Sequence, residues 1–357
     1  MSQYLGPLHE MTETTPTCLW TDTAGLEELK SSIAYGAVGA TCNPVIALSV
    51  LKKEVAYWKP RMQELLTVMP TASEDQLGWR LVEEMSVRGA ALLKNVFERD
   101  KGRNGRLSIQ TDPRFFRNTA AIVDQAVHFS QLAPNMIVKI PVTSAGVPAI
   151  EEATYRGVSI NATVSFTLPQ AVAVAEAVER GLKRREKEGK PVDTMGPVCT
   201  IMVGRIDDWL KLLLEREGMS VDPGCTDWAG VAIFKKAYAL YRQRGYRIRL
   251  LSAAYRNVMH WTELVGGDAV LSLPFPYQTR FNQSGISPRP LMDRPVEGRI
   301  LEALDRFPDY RRASTENGLS LAEFDTFGPT RRTLRQFLAA NVELQAMVRD
   351  VMVPNPD

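Results

Sequence analysis

The chain has 357 residues, 45% hydrophobic and 24% charged, with 43 basic side chains against 41 acidic ones for a net charge of +2. That balance supplies no basic field for nucleic acid and no acidic tail, and the length is ample for a sizeable core. No run of about 18 apolar residues is present to cross a membrane, the N-terminus lacks a signal-peptide pattern, and four scattered cysteines with three histidines offer neither a disulfide framework nor metal-ligand spacing, so a reducing cytoplasm without metal, nucleic-acid or membrane partners is expected.

Short apolar runs then alternate with longer segments of helical period. The eight candidate strands are Cys18–Asp22, Ala37–Asn43, Arg106–Gln110, Met136–Pro141, Val158–Thr163, Val198–Val203, Ile248–Ala254 and Asp268–Ser272. Between them the pattern predicts helices over Leu26–Tyr35, Ser73–Asp100, Pro113–Gln131, Ala145–Tyr155, Leu168–Lys187, Ile206–Arg216, Trp228–Arg244 and Asn257–Val265. The helix after Ser73 opens with a Ser-x-x-Gln capping box and repeats apolar positions at Leu77, Leu81 and Met85. Eightfold strand–helix alternation predicts a closed parallel (β/α)8 TIM barrel over residues 1–283, with a doubly wound open sheet as the competing architecture. Beyond it, Ser284–Gly298 is a Pro/Gly-rich connector. Ile300–Arg306 and Thr330–Val348 read as helices, the latter with Leu334, Phe337, Leu338 and Val342 on one face. Residues 284–357 are therefore expected to form a helical extension packed on the barrel. The basic run Lys183–Lys190 is read as a solvated helix end.

One residue breaks the fourth strand. In "MIVKIPVT", Met136–Thr143, a lysine sits inside an otherwise buried run. An edge strand would let Lys139 snorkel to solvent, and a buried carboxylate would pair with it. The third reading is chemical: an amine in an apolar pocket has its charged form disfavoured and becomes a nucleophile toward carbonyls.

In such barrels the reacting groups come from the C-terminal ends of the strands. Polar residues gather there. They are Asp22 on the first strand, Asn43 on the second, Ser108 and Gln110 on the third, Lys139 on the fourth, Asn161 and Thr163 on the fifth, and Thr200 on the sixth. Gly204-Arg205 follows the sixth strand and Arg256-Asn257 the seventh. Each has an ordinary reading: Asp22 as a helix cap, Asn43-Pro44 as a turn, Thr163 as a strand former, Arg205 in an ion pair with Asp207 or Asp208. Together they place an amine among hydroxyl and amide groups, and two guanidiniums suited to clamping a phosphate.

These residues resemble the transaldolase family. The matching segments run in family order: Thr21-Asp22-Thr23, Thr41-Cys42-Asn43-Pro44, Arg106-Leu107-Ser108, Val138-Lys139-Ile140-Pro141, Asn161-Ala162-Thr163, Val203-Gly204-Arg205-Ile206-Asp207-Asp208-Trp209 and Tyr255-Arg256-Asn257. The resemblance implies a class I aldolase barrel with no cofactor. Lys139 takes the imine-forming position, Asp22 the acid/base position, and Thr163 holds the catalytic water. Asn43 and Asn161 bind the hydroxyls of a dihydroxyacetone unit, Thr200 takes the place of the usual strand-six serine, and Arg205 and Arg256 bind the sugar phosphate. The family reaction moves that three-carbon unit from fructose 6-phosphate to erythrose 4-phosphate. Phosphosugars are thus the expected partners, and a homo-oligomer is compatible with the pattern.

The chain also departs from the family. Gln110 stands where transaldolases usually carry glutamate and the related fructose-6-phosphate aldolases carry glutamine; an amide orients water but transfers no proton. Met202 stands where transaldolases have phenylalanine and the aldolases tyrosine, and Ala254 replaces a serine. Simple cleavage is therefore the nearest alternative to transfer. A metal-dependent lyase is opposed by the scarcity of histidine, a non-catalytic phosphosugar binder remains a third reading, and no G-x-G-x-x-G or Walker pattern follows a strand.

Overall fold

The computed structural model describes residues 3–356. Its eight strands are β1 (Cys18–Thr21), β2 (Ala37–Thr41), β3 (Arg106–Gln110), β4 (Met136–Pro141), β5 (Ile160–Thr163), β6 (Val198–Ile201), β7 (Arg249–Ser252) and β8 (Val270–Leu273). All neighbours pair in parallel, in chain order. β8 returns to β1, with Cys18 opposite Val270 and Thr21 opposite Leu273, so the barrel closes and the open-sheet alternative falls. Strands β3 to β8 are buried throughout, and β1 and β2 each carry one half-buried residue, as parallel strands covered by helices require.

The helices are α1 (Pro7–Thr14), α2 (Leu26–Ala34), α3 (Pro44–Lys53), α4 (Val55–Val68), α5 (Glu74–Arg99), α6 (Thr119–Ser130), α7 (Gly146–Tyr155), α8 (Leu168–Lys187), α9 (Val203–Glu217), α10 (Ala229–Arg244), α11 (Met259–Thr262), α12 (Phe275–Asn282), α13 (Gly298–Leu304), α14 (Pro308–Ser314) and α15 (Gly328–Met352). The capping box expected at Ser73 forms with Gln76 and opens α5. Two helices absent from the sequence reading, α3 and α4, fill the stretch between Asn43 and Ser73. Asn43 caps α3 with Pro44 in its first turn, and α4 carries an internal proline at 60 that blurs its period. The helix expected over Pro113–Gln131 splits into a 3₁₀ turn at Pro113–Phe115 and α6, capped by Asn118. The one expected over Asn257–Val265 shrinks to the single turn of α11.

Strand periodicity decides what fills the barrel. Trp20, Ile137, Val198, Leu251 and Val270 point inward and form a fully buried apolar plug toward its N-terminal half. β2 makes room with Gly39, where a β-carbon would fall 2.3 Å from the Trp20 ring. Below the plug, Arg106 is buried with its guanidinium on the carbonyls of Gly102, Met136 and Thr194. Arg249 likewise reaches the Arg103 carbonyl and Asn104. These arginines close the stability face of the barrel.

α15 packs against α3 and α5 at one end and approaches α9 at the other. Its buried stripe is Leu334, Phe337, Ala340, Asn341, Leu344 and Val348. Val342, expected on that face, is 62% exposed. The stripe lies about one position off the purely hydrophobic reading because polar residues of α15 also face inward, Gln345 donating to the Asp75 carboxylate. Just before α15, Asp325 accepts from the Ser144 amide at 2.7 Å and its hydroxyl at 2.5 Å, tying this extension to the loop that follows β4.

Replacing Gly39 with alanine is expected to cost about 1–3 kcal/mol, because the buried Trp20 ring cannot retreat; urea unfolding of the variant measures it, and an unchanged midpoint would refute the packing argument.

Candidate active site

Ile137 belongs to the apolar plug, so Lys139, two residues on, points into the barrel above it. It is 3% exposed. It stands in register with Gln110 of β3 on one side and Asn161 of β5 on the other. The edge-strand reading therefore fails: β4 is flanked on both sides and Lys139 does not reach solvent. Burial drives its pKa below the ordinary lysine value, against the opposing pull of Asp22 and Cys42.

Asp22 follows β1 directly, its amide donating to the Leu273 carbonyl at 2.9 Å. Burial raises its pKa, opposed first by the charge of Lys139 and then by the Thr41 hydroxyl, which donates to Oδ1 at 2.5 Å. Thr41 in turn meets the Ser272 hydroxyl at 2.9 Å. The amine and the carboxylate are thus both pushed toward their neutral forms. The Cys42 thiol beside them is pushed up to about 12 by burial, which leaves it protonated and inert.

The amides and hydroxyls form a second layer. Asn161 donates to Ser108 at 3.1 Å and accepts from Thr200 at 2.7 Å. That fixes its orientation and leaves one amide N–H free to donate. Asn43 spends its carbonyl oxygen on the amide of Ile46 as the cap of α3. Gln110 Oε1 and Thr163 Oγ1 are buried and have no hydrogen-bond partner among the described residues. Gln110, Asn43, Trp79 and Asn341 line a cavity of about 20 Å³, water-sized.

The two arginines differ. The ion pair anticipated for Arg205 forms on Arg256 instead, whose guanidinium holds Asp208 at 2.8–3.1 Å. Asp207 is taken by His260, at 2.7 Å with both side chains fully buried. The Arg256 amide donates to His260 Nδ1, so Nε2 carries the proton that Asp207 accepts, and this chain fixes the backbone at Arg256. Arg205 makes no ion pair among the described residues, and its Nε is buried without a partner. Gly204 brings the two together: a β-carbon there would fall 2.0 Å from the Ala254 carbonyl and 2.6 Å from the Arg256 side chain.

Two strained residues border the site. Val164, next to Thr163, has φ 54°, and Ala254, before Tyr255-Arg256, has φ 64°. A β-branched residue in the left-handed region is an outlier that the surroundings must enforce. Gln170 does so at the first. Fully buried, it donates to the carbonyls of Val142 and Val164 and accepts from the amide of Phe166. No motif marked Gln170 or Ser272, and Thr41 was marked only as part of the segment Thr41–Pro44, with no role of its own; the positions of Thr41 and Ser272 beside Asp22 emerge only once strand register is known.

Comparison with known proteins identifies the family. Residues 19–316 match the family model described as transaldolase/fructose-6-phosphate aldolase. The chain belongs to that family. Among its relatives, it is 30% identical over 260 residues to "Transaldolase 2" of Streptomyces avermitilis, covering 66% of this chain and 69% of the relative. It is 33% identical over 225 residues to "Transaldolase 1" of Streptomyces coelicolor, covering 62% and 58%. It is 29% identical over 275 residues to "Transaldolase" of Mycolicibacterium smegmatis, covering 71% and 72%. The family match reaches from β1 past the barrel and through α14, so it includes every candidate site residue.

Gln170→Met keeps the side-chain volume but strips the polar groups from three buried backbone partners. It is expected to lose about 2–4 kcal/mol in chemical denaturation; a loss below about 0.5 kcal/mol, the range of neutral surface changes, would show that the amide does not hold the strained turn.

Proposed function

We propose that this protein is a class I transferase that moves a dihydroxyacetone unit from fructose 6-phosphate to an aldose phosphate through an imine on Lys139. The observation that carries the reading is the amine itself: buried inside a closed barrel, shifted by desolvation toward its neutral form, with Asp22 as its principal charged neighbour. Family membership supports it.

In this mechanism neutral Lys139 attacks the ketose carbonyl, the new C–N bond forming as the carbonyl electrons move to oxygen. The carbinolamine expels water to give a protonated imine. The unpartnered Thr163 hydroxyl and Gln110 carbonyl suit the handling of that water. Asp22 then takes the proton from the hydroxyl beside the bond that breaks. The bond's electron pair flows into the imine, leaving an enamine, and an aldose phosphate departs. The free N–H of Asn161 and the amide of Asn43 hold the hydroxyls of the three-carbon unit; Thr200 keeps Asn161 aimed. An incoming aldehyde accepts the enamine carbon, Asp22 returns its proton, and water releases the new ketose. Arg205 and Arg256 bind the phosphate, Arg256 with its Asp208 pair in place.

One observation favours the aldolase reading, in which free dihydroxyacetone is released: Gln110 presents an amide where the family's transferases present a carboxylate. Met202 weighs the other way, since it is buried at the start of α9 and offers no hydroxyl to activate water.

Borohydride with fructose 6-phosphate is expected to fix a reduced three-carbon adduct on Lys139, detected by mass spectrometry, and Lys139→Arg to abolish both adduct and turnover because a guanidinium forms no imine. Turnover is expected to need an acceptor; free dihydroxyacetone formed without one would move the assignment to the aldolase, and an unlabelled protein would refute the imine. Asp22→Asn removes the negative charge that most favours protonated Lys139. The half-maximal pH for trapping should therefore fall, while cleavage slows by about 10²-fold or more. A trapping midpoint that rises instead would contradict the electrostatic coupling.

A further inference from the structure

The first two turns of α15 carry Arg331, Arg332 and Arg335, all exposed, with no ion pair among the described residues and no acidic residue in the first turn. Cations at a helix N-terminus oppose the dipole, which favours carboxylates there. The helix is held beside the phosphate-binding region by a close contact. Gly328 lies against the indole of Trp209 on α9, where a β-carbon would fall 2.1 Å from the ring. Arg205 is one turn before Trp209 on α9, and Arg332 is one turn after Gly328 on α15. Residues four apart share a helix face, and Arg205 is close enough to Arg332 to feel its charge. The neighbouring carboxylates are committed elsewhere: Asp208 to Arg256 and Asp309 to the Trp209 indole. Arg205 sits in the positive field of both Arg256 and Arg332, opposed by the charges of Asp208 and Asp22.

We propose that Arg332 is a third guanidinium of the phosphate site, so that the C-terminal helix reads the terminal phosphate of the sugar. This deepens the function proposed above and rests on it for the identity of the sugar, though not for the affinity toward a phosphate dianion. Three guanidiniums against two carboxylates, Asp208 and Asp22, still leave a positive charge in surplus, which a dianion offsets with oxygens matched to planar N–H pairs. Because α15 follows the Asp325–Ser144 tie, the extension that contacts the Lys139 strand loop also supplies the specificity residue.

The test compares Arg332→Ala with wild type and with Arg216→Ala, which removes the same charge from the exposed far end of α9. For fructose 6-phosphate, KM is expected to rise about tenfold in Arg332→Ala with kcat within about threefold, as for one lost charge-assisted hydrogen bond. Unphosphorylated fructose should react with unchanged kcat/KM, and Arg332→Lys should recover part of the loss. Isothermal titration with inorganic phosphate gives a readout that needs no turnover: binding should weaken about tenfold in Arg332→Ala and not in Arg216→Ala. Equal phosphate affinity in Arg332→Ala and wild type would overturn the proposal whether or not the enzyme turns over; an inactive wild type that still shows the phosphate difference would sink the transferase reading and leave the anion site standing.

Discussion

An ammonium moved from water into a protein interior loses hydration worth several kcal/mol, and the protein recovers that loss by pairing the charge or by letting the proton go. Lys139 is placed where both routes are open. Beneath it the Trp20–Val270 plug excludes water; beside it stands Asp22, which favours the proton staying. Desolvation outweighs the attraction, and the shift is downward. A closed barrel is what makes the placement achievable, because every interior residue is shielded from water by backbone already fully hydrogen-bonded.

The rest of the site answers that placement. The Thr41 hydroxyl keeps Asp22 partly stabilised as a carboxylate, so the base is not silenced by the same burial that frees the amine. Ser108, Asn161 and Thr200 form a chain of hydrogen bonds that fixes the amide nearest Lys139 in register. The positive-φ turns at Val164 and Ala254 store local strain at the ends of β5 and β7, and Gln170 restrains the first of them. Removing solvent and fixing dipoles before substrate arrives is the arrangement that spares reorganisation during reaction.

The barrel was legible because eight apolar runs alternate with helical periods, and Lys139 stood out as the one charged residue inside a buried run. Asp22, Asn43, Gln110, Asn161 and Thr163 were visible as polar residues closing apolar strands. What stayed hidden depends on tertiary packing. α3 and α4 were missed because a proline interrupts the second and their apolar residues form no clean stripe. The inward face of α15 was read correctly at Leu334 and Phe337 but not at Val342, because Asn341 and Gln345 pack inward beside its leucines. Which arginine pairs with Asp208 could not be read from the run Gly204–Trp209, since the choice is made by Arg256 arriving from another strand through the Gly204–Ala254 contact.

The central claim is that the Lys139 amine in the free protein loses its proton below the ordinary lysine range. The most direct measurement is a pH titration of the side-chain nitrogen by NMR in protein labelled with ¹⁵N-lysine, the resonance assigned by its absence in Lys139→Arg. The account predicts a midpoint clearly below the model-peptide value of about 10.4. A midpoint at or above that value would mean the barrel stabilises the ammonium, and would contradict the account.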